Sequence, residues 1–297
     1  MKTSISITKR LQTLGGALLA LALGHTATAL RADFVTGFET SSGYTAGALI
    51  VGTQDAAAPA GNTWEALFST DKITVATDKT ASGTQTLKID DTTSSAYGVK
   101  LDLGSSVDFT RSFTFSFSIA LDNIGSGTGN VAQIYLGEPN TVADGRKFWA
   151  VLYFAHDGNI YMQSDSSTGK SIYAVSLGSY QGTYGRSPGE FLDISMTIDA
   201  STKKYTQLSI GGQDETSVIL SSQSGGTIPW LHDTPGTFPK SYLSIVAGGA
   251  TTGTIRIDNV SITNIPEPSA MALASGLVGA LLSVFRFLNK PNVKPKQ

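Results

Sequence analysis

An all-β fold, a two-sheet jelly-roll sandwich flanked by two short terminal segments, is what this sequence predicts, and three observations predict it. Apolar residues alternate with polar ones at the period of a half-buried strand: Phe113, Phe115, Phe117, Ile119 and Leu121 are separated by Thr114, Ser116, Ser118 and Ala120. Turns rich in Gly, Ser, Asp and Thr divide such stretches from one another, and no amphipathic helix of convincing length occurs between residues 33 and 265. A segment of roughly 230 residues is long enough for one large β-domain and buries enough apolar surface to do without covalent staples. That matters here, because the chain has no cysteine, which excludes disulfides, thiolate metal sites, a cysteine nucleophile and a lipidated leader cysteine.

Residues 1–29 open with Lys2, Lys9 and Arg10, continue through an apolar stretch from Leu11 to Leu23, and end in Ala27-Thr28-Ala29. This order is that of a secretory signal peptide with a small-x-small cleavage site, too short in its apolar part to span a bilayer. It implies the Sec translocon and signal peptidase as partners. Thirteen of the 21 basic residues and 22 of the 23 acidic ones fall within Asp33–Ile265, an excess of nine negative charges in the expected domain. Nucleic acid is excluded as a partner on that ground, because binding to phosphates needs clustered Lys and Arg.

The same alternation recurs in Val99-Lys100-Leu101-Asp102-Leu103, in Leu192 to Ile198 and in Ile255-Arg256-Ile257. After Ile257 the apolar phase slips to Val260 and Ile262, which predicts a bulge at Asp258-Asn259. Phe148 to Asp165 reads as a hairpin around Asp157-Gly158, a dipeptide suited to a two-residue turn. That turn would pair Ala155 with Ile160 and Tyr153 with Met162. Trp149, Val151, Tyr153, Ile160 and Met162 would then face the core, and Phe154, Tyr161 and Gln163 the outside. A slip of one residue would exchange the two faces.

Catalytic patterns are sparse. Glu190 and Asp193, the nearest approach to a pair of carboxylates for glycoside hydrolysis, stand at an odd spacing that sends strand side chains to opposite faces. His156 and His232 lack a second histidine at metal-ligand spacing, and Gly125-Ser126-Gly127-Thr128-Gly129 joins two strands with no helix N-terminus to bind phosphate. Trp230 lies in a loop stiffened by Pro229, Pro235 and Pro239, a setting in which an indole can be presented to a sugar ring. Tyr161, Gln163, Tyr173 and Trp230 form the candidate carbohydrate-binding set. Three readings stay open: a lectin-like binder, a structural or adhesive surface protein without glycan binding, and a divergent glycoside hydrolase.

Beyond Ile265 come Pro266-Glu267-Pro268, an uncharged run of 16 residues from Ala270 to Phe285, and a tail with Arg286, Lys290, Lys294 and Lys296. As a helix that run measures about 24 Å, and extension to about residue 288, with Arg286 snorkelling, brings it to the ~30 Å of a bilayer core. The motif, short transmembrane helix and basic tail of 266–297 resemble the PEP-CTERM sorting signal of Gram-negative bacteria. That resemblance implies transient anchoring in the inner membrane, recognition by an exosortase, removal of the tail, and delivery to the outer surface or the exopolysaccharide matrix.

The expected domain, 33–265, resembles concanavalin A-like or laminin-G-like jelly rolls and related carbohydrate-binding modules. Gly37-Phe38-Glu39 with Gly43-Tyr44, Asp157-Gly158-Asn159-Ile160-Tyr161, and Ile257-Asp258-Asn259-Val260 carry the likeness. In such modules the first and last strands lie side by side, and an acid from each can hold a structural calcium. Glu39 and Asp258 match those positions.

Overall fold

The computed structural model describes residues 33–93, 95–137, 148–165, 172–202, 204–217, 241–249 and 251–265. In chain order its strands are β1 (Asp33–Thr36), β2 (Glu65–Ala66), β3 (Ile73–Ala76), β4 (Thr86–Asp91), β5 (Tyr97–Asp102), β6 (Phe113–Asp122) and β7 (Asn130–Gly137). There follow β8 (Phe148–Ala155), β9 (Asn159–Asp165), β10 (Ile172–Ser179), β11 (Leu192–Asp199), β12 (Lys204–Ile210), β13 (Gln213–Asp214), β14 (Tyr242–Ala247) and β15 (Gly253–Asn264).

They form two antiparallel sheets, in a jelly-roll-like sandwich. One runs β13-β12-β11-β6-β15-β4-β3, with β1 also paired to β15; the other runs β10-β9-β8-β7-β14-β5-β2. The alternation seen in the sequence is the cause: on β6 and β11, Phe113, Phe115, Phe117, Leu192, Ile194, Met196 and Ile198 all point into the interior and are buried. The facing sheet answers with Val99, Leu101, Ile134, Leu136, Leu243 and Ile245, and these residues join one continuous core. Trp149 is fully buried, its ring stacked on Phe109 at 5.5 Å and edge-on to Phe113 at 5.4 Å. Tyr205 reaches across to donate to the carbonyl of Trp149.

Two local features position the surfaces described below. The first is the predicted bulge. β15 pairs with β6 on both sides of a register shift between Asp258 and Ser261, and Asn259 there takes φ 50°. The second is the β8–β9 hairpin, where the structure corrects the expected pairing. Tyr153 pairs with Tyr161, Phe154 with Ile160 and Leu152 with Met162. The loop is one residue longer than a two-residue turn: Gly158 N–H donates to the Ala155 carbonyl, Gly158 adopts φ 81°, and the Asp157 carboxylate accepts from Asn159. Only glycine takes that left-handed position without strain, and such a loop shifts the register. Phe154 is consequently core, while Val151 and Tyr153 belong to the outer face.

Candidate functional site

Two surfaces gather the residues singled out by the sequence. The first is the junction of Glu39 and Asp258. β4 occupies one edge of β15 from Gly253 to Ile257, β1 occupies it from Val260 to Thr263, and the two strands leave a gap at the bulge. Chain approaching β4 therefore presents backbone N–H groups with no strand partner, on a segment that is exposed from Ala81 to Thr84 and buried at Gln85. Two carboxylates take them. Asp258 accepts from the N–H groups of Ala81, Ser82 and Asn259 at 2.8–3.1 Å. Glu39 accepts from the N–H groups of Thr84 and Gln85 and from the Thr84 hydroxyl at 2.7–3.0 Å.

The fit around these acids is close. A Cβ on Gly83, whose φ is +65°, would stand 2.1 Å from a Glu39 oxygen. Phe38, beside Glu39, is held at φ 59°, a conformation that costs a bulky residue about 1–2 kcal/mol. Its burial against Tyr44 and Trp64 compensates. Desolvation pushes the Asp258 carboxyl above its ordinary range, against the pull of its three N–H donors, and the charge of Glu39 adds to the rise. Glu39 also suffers desolvation, but its bonds from Thr84 and Gln85 outweigh it and hold the group below its ordinary 4.5.

The two acids respond to pH with opposite signs. The raised Asp258 binds its proton more tightly in the folded state, so it favours folding as the pH falls. The lowered Glu39 stabilises fully above its ordinary value and loses that contribution as the pH falls through its folded value.

The implied calcium can be judged against this geometry. The two acids do meet, but each carboxylate offers about four lone-pair positions and three on each already accept N–H or O–H donors. Calcium takes six to eight oxygens. Among the described residues no group of three or more His, Asp or Glu stands close enough to hold a metal. The donor set fits a clasp for the chain at 81–85 better than a cation shell.

The second surface is the outer face of the β10-to-β2 sheet. Tyr161 lies on β9 directly across from Tyr153 on β8, and Tyr153 packs edge-on to Tyr135 with ring centres 6.2 Å apart. Val151 and Val246 fill the space beneath. Tyr135 donates a short hydrogen bond to the Gln133 side-chain oxygen. Further along the face, Lys100 sits 4.5 Å from the ring centre of Tyr242 and 3.4 Å from Glu65. The arrangement is an apolar, hydroxyl-edged platform of the type on which a sugar ring stacks.

Of the expected set, Tyr161 is on this platform, and Gln163 follows two positions later on the same strand, paired with Ala174. Tyr173 pairs with Ser164, one position out of step with Gln163. Trp230 and His232 lie outside the described residues, as do Pro266, Glu267 and Pro268, the expected membrane segment, and Arg286, Lys290, Lys294 and Lys296. Among the described residues no helix is long and apolar enough to cross a membrane.

Sequence reasoning missed Tyr135, Tyr153 and Tyr242; Tyr153 becomes visible once the hairpin is registered on Gly158, and the other two only once β7 and β14 are placed in the sheet. His156 lines a loop-end hollow of about 450 Å3 with Asp122, Asn123, Asp157 and Gln181 above Tyr180. The acids there already have local work: Asp122 pairs with Lys79 at 3.5 Å, and Asp157 caps its own turn. Glu190 lies in a loop, where it accepts from the Ser187 N–H, while Asp193 stands on the outside of β11.

No protein-family model matches the chain, and no curated protein does. Among solved structures it is similar to a carbohydrate esterase of the Shiga toxin-encoding bacteriophage phi24B, at 12% identity and a TM-score of 0.48, over 68% of this chain and 90% of that one. It is also similar to the binding domain of Paraclostridial Mosquitocidal Protein 1, at 14% and 0.47, over 82% of this chain and 52% of that one. The receptor-binding domain of botulinum neurotoxin C/D mosaic serotype aligns at 13% and 0.47, over 82% and 51%. The chain thus spans about half the length of the two toxin domains. These likenesses are loose and carry no functional argument.

A clasp made by N–H donors needs no cation. The melting temperature should stay within about 1 °C when millimolar calcium is exchanged for EDTA; a rise of several degrees with calcium, which at 100 Kd corresponds to about 2.7 kcal/mol, would place the ion at Glu39 and Asp258.

Proposed function

We propose that this is an exported, non-catalytic protein of the cell surface or exopolysaccharide matrix whose β-sandwich binds carbohydrate. The observation that carries the reading is the pair of half-buried tyrosines on this face, Tyr161 directly across from Tyr153, with Tyr153 packed on Val151 and edge-on to the buried Tyr135. Aromatic rings on a strand surface offer an apolar face to the C–H side of a pyranose and polar groups at its edge, at low conformational cost because a tyrosine has few rotatable bonds. Gln163, two positions beyond Tyr161 on the same strand, shares its face, whereas the register places Tyr173 on the other face of β10 and removes it from this set. The acidic balance of the domain favours neutral glycans over polyanionic ones.

The ends supply the route. The signal peptide hands the chain to the Sec translocon and signal peptidase. Pro266-Glu267-Pro268, the apolar run and the basic tail hold it briefly in the inner membrane of a Gram-negative cell for an exosortase, which releases it to the outer surface or the matrix.

Two experiments test these halves separately. Retention of the Ala32–Ile265 unit on immobilised polysaccharides should be competed by free sugar and should weaken roughly three- to tenfold in Tyr153→Ala and Tyr161→Ala, as loss of one stacking contact entails; retention unchanged by both substitutions would refute the platform. Mass spectrometry of the extracellular protein should find no peptide beyond about Pro268, and recovery of intact tail peptides there would refute processing.

A further inference from the structure

The opposite outer face, on the sheet that contains β6 and β15, has a different chemistry. Register lines up a serine on each of four neighbouring strands: Ser209 pairs with Ser195, Ser195 with Ser116, and Ser116 with Ser261. One level along, Gln207, Thr197, Thr114 and Thr263 line up in the same way. Such rows repeat about 4.8 Å apart across strands and about 6.7 Å apart along them, so the face is a lattice of short hydroxyls. Ser116 and Ser261 are hydrogen-bonded at 2.8 Å, and Thr114 and Thr197 at 3.3 Å.

On the other side of the serine row the face sinks into a hollow of about 370 Å3, lined by Ser116, Ser118, Asp193, Ser195, Ser209 and Asn259. A directed chain of hydrogen bonds runs through it. The Ser82 hydroxyl donates to the Asn259 amide oxygen, the Asn259 amide donates to Ser118 at 3.3 Å, and Ser118 donates to Asp193 at 2.6 Å. Asn259 reaches this position because the β15 bulge holds it at φ 50°. Bulges commonly re-aim a side chain beside a site. The β12–β13 turn, with Gly212 at φ 82° and nothing within 4 Å of a Cβ built there, leaves one end of the hollow open.

We infer that this hollow is a second saccharide site, for a neutral, hydroxyl-rich sugar chain. The inference rests on the reading of the domain as a glycan binder and adds a second face to it. Each serine hydroxyl both donates and accepts, Asp193 only accepts, and no Lys or Arg lines the hollow. A phosphate, sulfate or uronate would find no counter-charge and would meet the Asp193 carboxylate. An apolar ligand would leave the hydroxyls without partners, at the cost of desolvating them. A pyranose supplies both donors and acceptors on adjacent carbons: one hydroxyl donates to the Asp193 carboxylate while others exchange bonds with Ser195 and Ser209. Because Ser195 and Ser209 are short and Ser116, Ser118, Asp193 and Asn259 are already hydrogen-bonded, little rotamer freedom is lost on binding. With the tyrosine platform on the outside of the other sheet, a single domain would engage two sugar chains at once, and two weak sites in a polymer matrix act together.

The test is residue-resolved NMR of the Ala32–Ile265 unit, whose strands all pair within it, titrated separately with cellohexaose, chitohexaose and an alginate hexasaccharide. Amides of Phe117, Ser118, Ile194, Ser195 and Ser209 should shift with at least one neutral hexasaccharide and not with alginate. The double variant Ser195→Lys with Ser209→Lys should weaken that response about tenfold while shifts around Tyr161 persist. Asp193→Asn, nearly isosteric, should weaken it as well if the lysines disturb the fold. Shifts confined to the Tyr153 and Tyr161 face, or arising equally with alginate, would overturn this inference and leave the platform reading standing. Absence of any shift with all three sugars would overturn both.

Discussion

The rest of the structure depends on how one edge of the last strand is shared. β15 is the longest strand, and along the edge facing away from β6 it changes partner midway, from β4 to β1. A shared edge of this kind leaves a break in the ladder, and the amides of Ala81, Ser82, Thr84 and Gln85 beside it take other acceptors. Asp258 supplies it from inside the bulge and Glu39 from the end of β1, so the first and last segments of the domain are stapled to the chain that leads into β4. Charged acceptors make the stronger class of hydrogen bond, worth about 1.5–3 kcal/mol each. Two left-handed non-glycine residues stand beside them: the burial of Phe38 against Tyr44 and Trp64 offsets its strain, and Asn259 donates its own N–H to Asp258.

The same break shapes the outer surface of its own sheet. By moving Asn259 out of the ladder, the bulge adds an amide to the serine lattice. By returning β15 to register with β6 at Ser261, it restores alignment of the serine and threonine rows. Beyond Phe38, Trp64 donates to Tyr44, and Tyr44 to the buried Asp55, which fixes the long connection between β1 and β2 against the core. Burial and the neighbouring Asp55 push the Tyr44 hydroxyl well above its ordinary value, so it stays a donor throughout the physiological range. Both surfaces described above lie on sheet faces, and pre-organised faces suit repetitive polymers better than they suit irregular ligands.

Much of this architecture was legible in the sequence, because a period of two is a strong signal when one face is buried. Phe113 to Leu121 and Leu192 to Ile198 are strands with the expected residues inside. The slip at Asp258 correctly marked a bulge, while the use of Glu39 and Asp258 as acceptors for the chain at 81–85 was not readable, because it depends on the edge shared by β1 and β4. Nor was the β8–β9 register. Asp157-Gly158 is compatible with loops of two or three residues, and the apolar residues on either side suit both registers. That one-residue difference moved Phe154 inward and brought Tyr153 out beside Tyr161. The serine rows were hidden for a related reason: each strand shows only scattered Ser and Thr, and their alignment exists only once four strands are registered.

Amide hydrogen exchange at 81–85 tests the shared-edge clasp most directly. In the intact domain the N–H groups of Ala81, Ser82, Thr84 and Gln85 should be protected to the level of the adjacent β4 amides, and Asp258→Asn or Glu39→Gln should lower that protection roughly tenfold or more while β6 and β11 keep theirs. Loop-like exchange of these four amides in the unaltered protein, with β4 and β15 fully protected, would contradict the account.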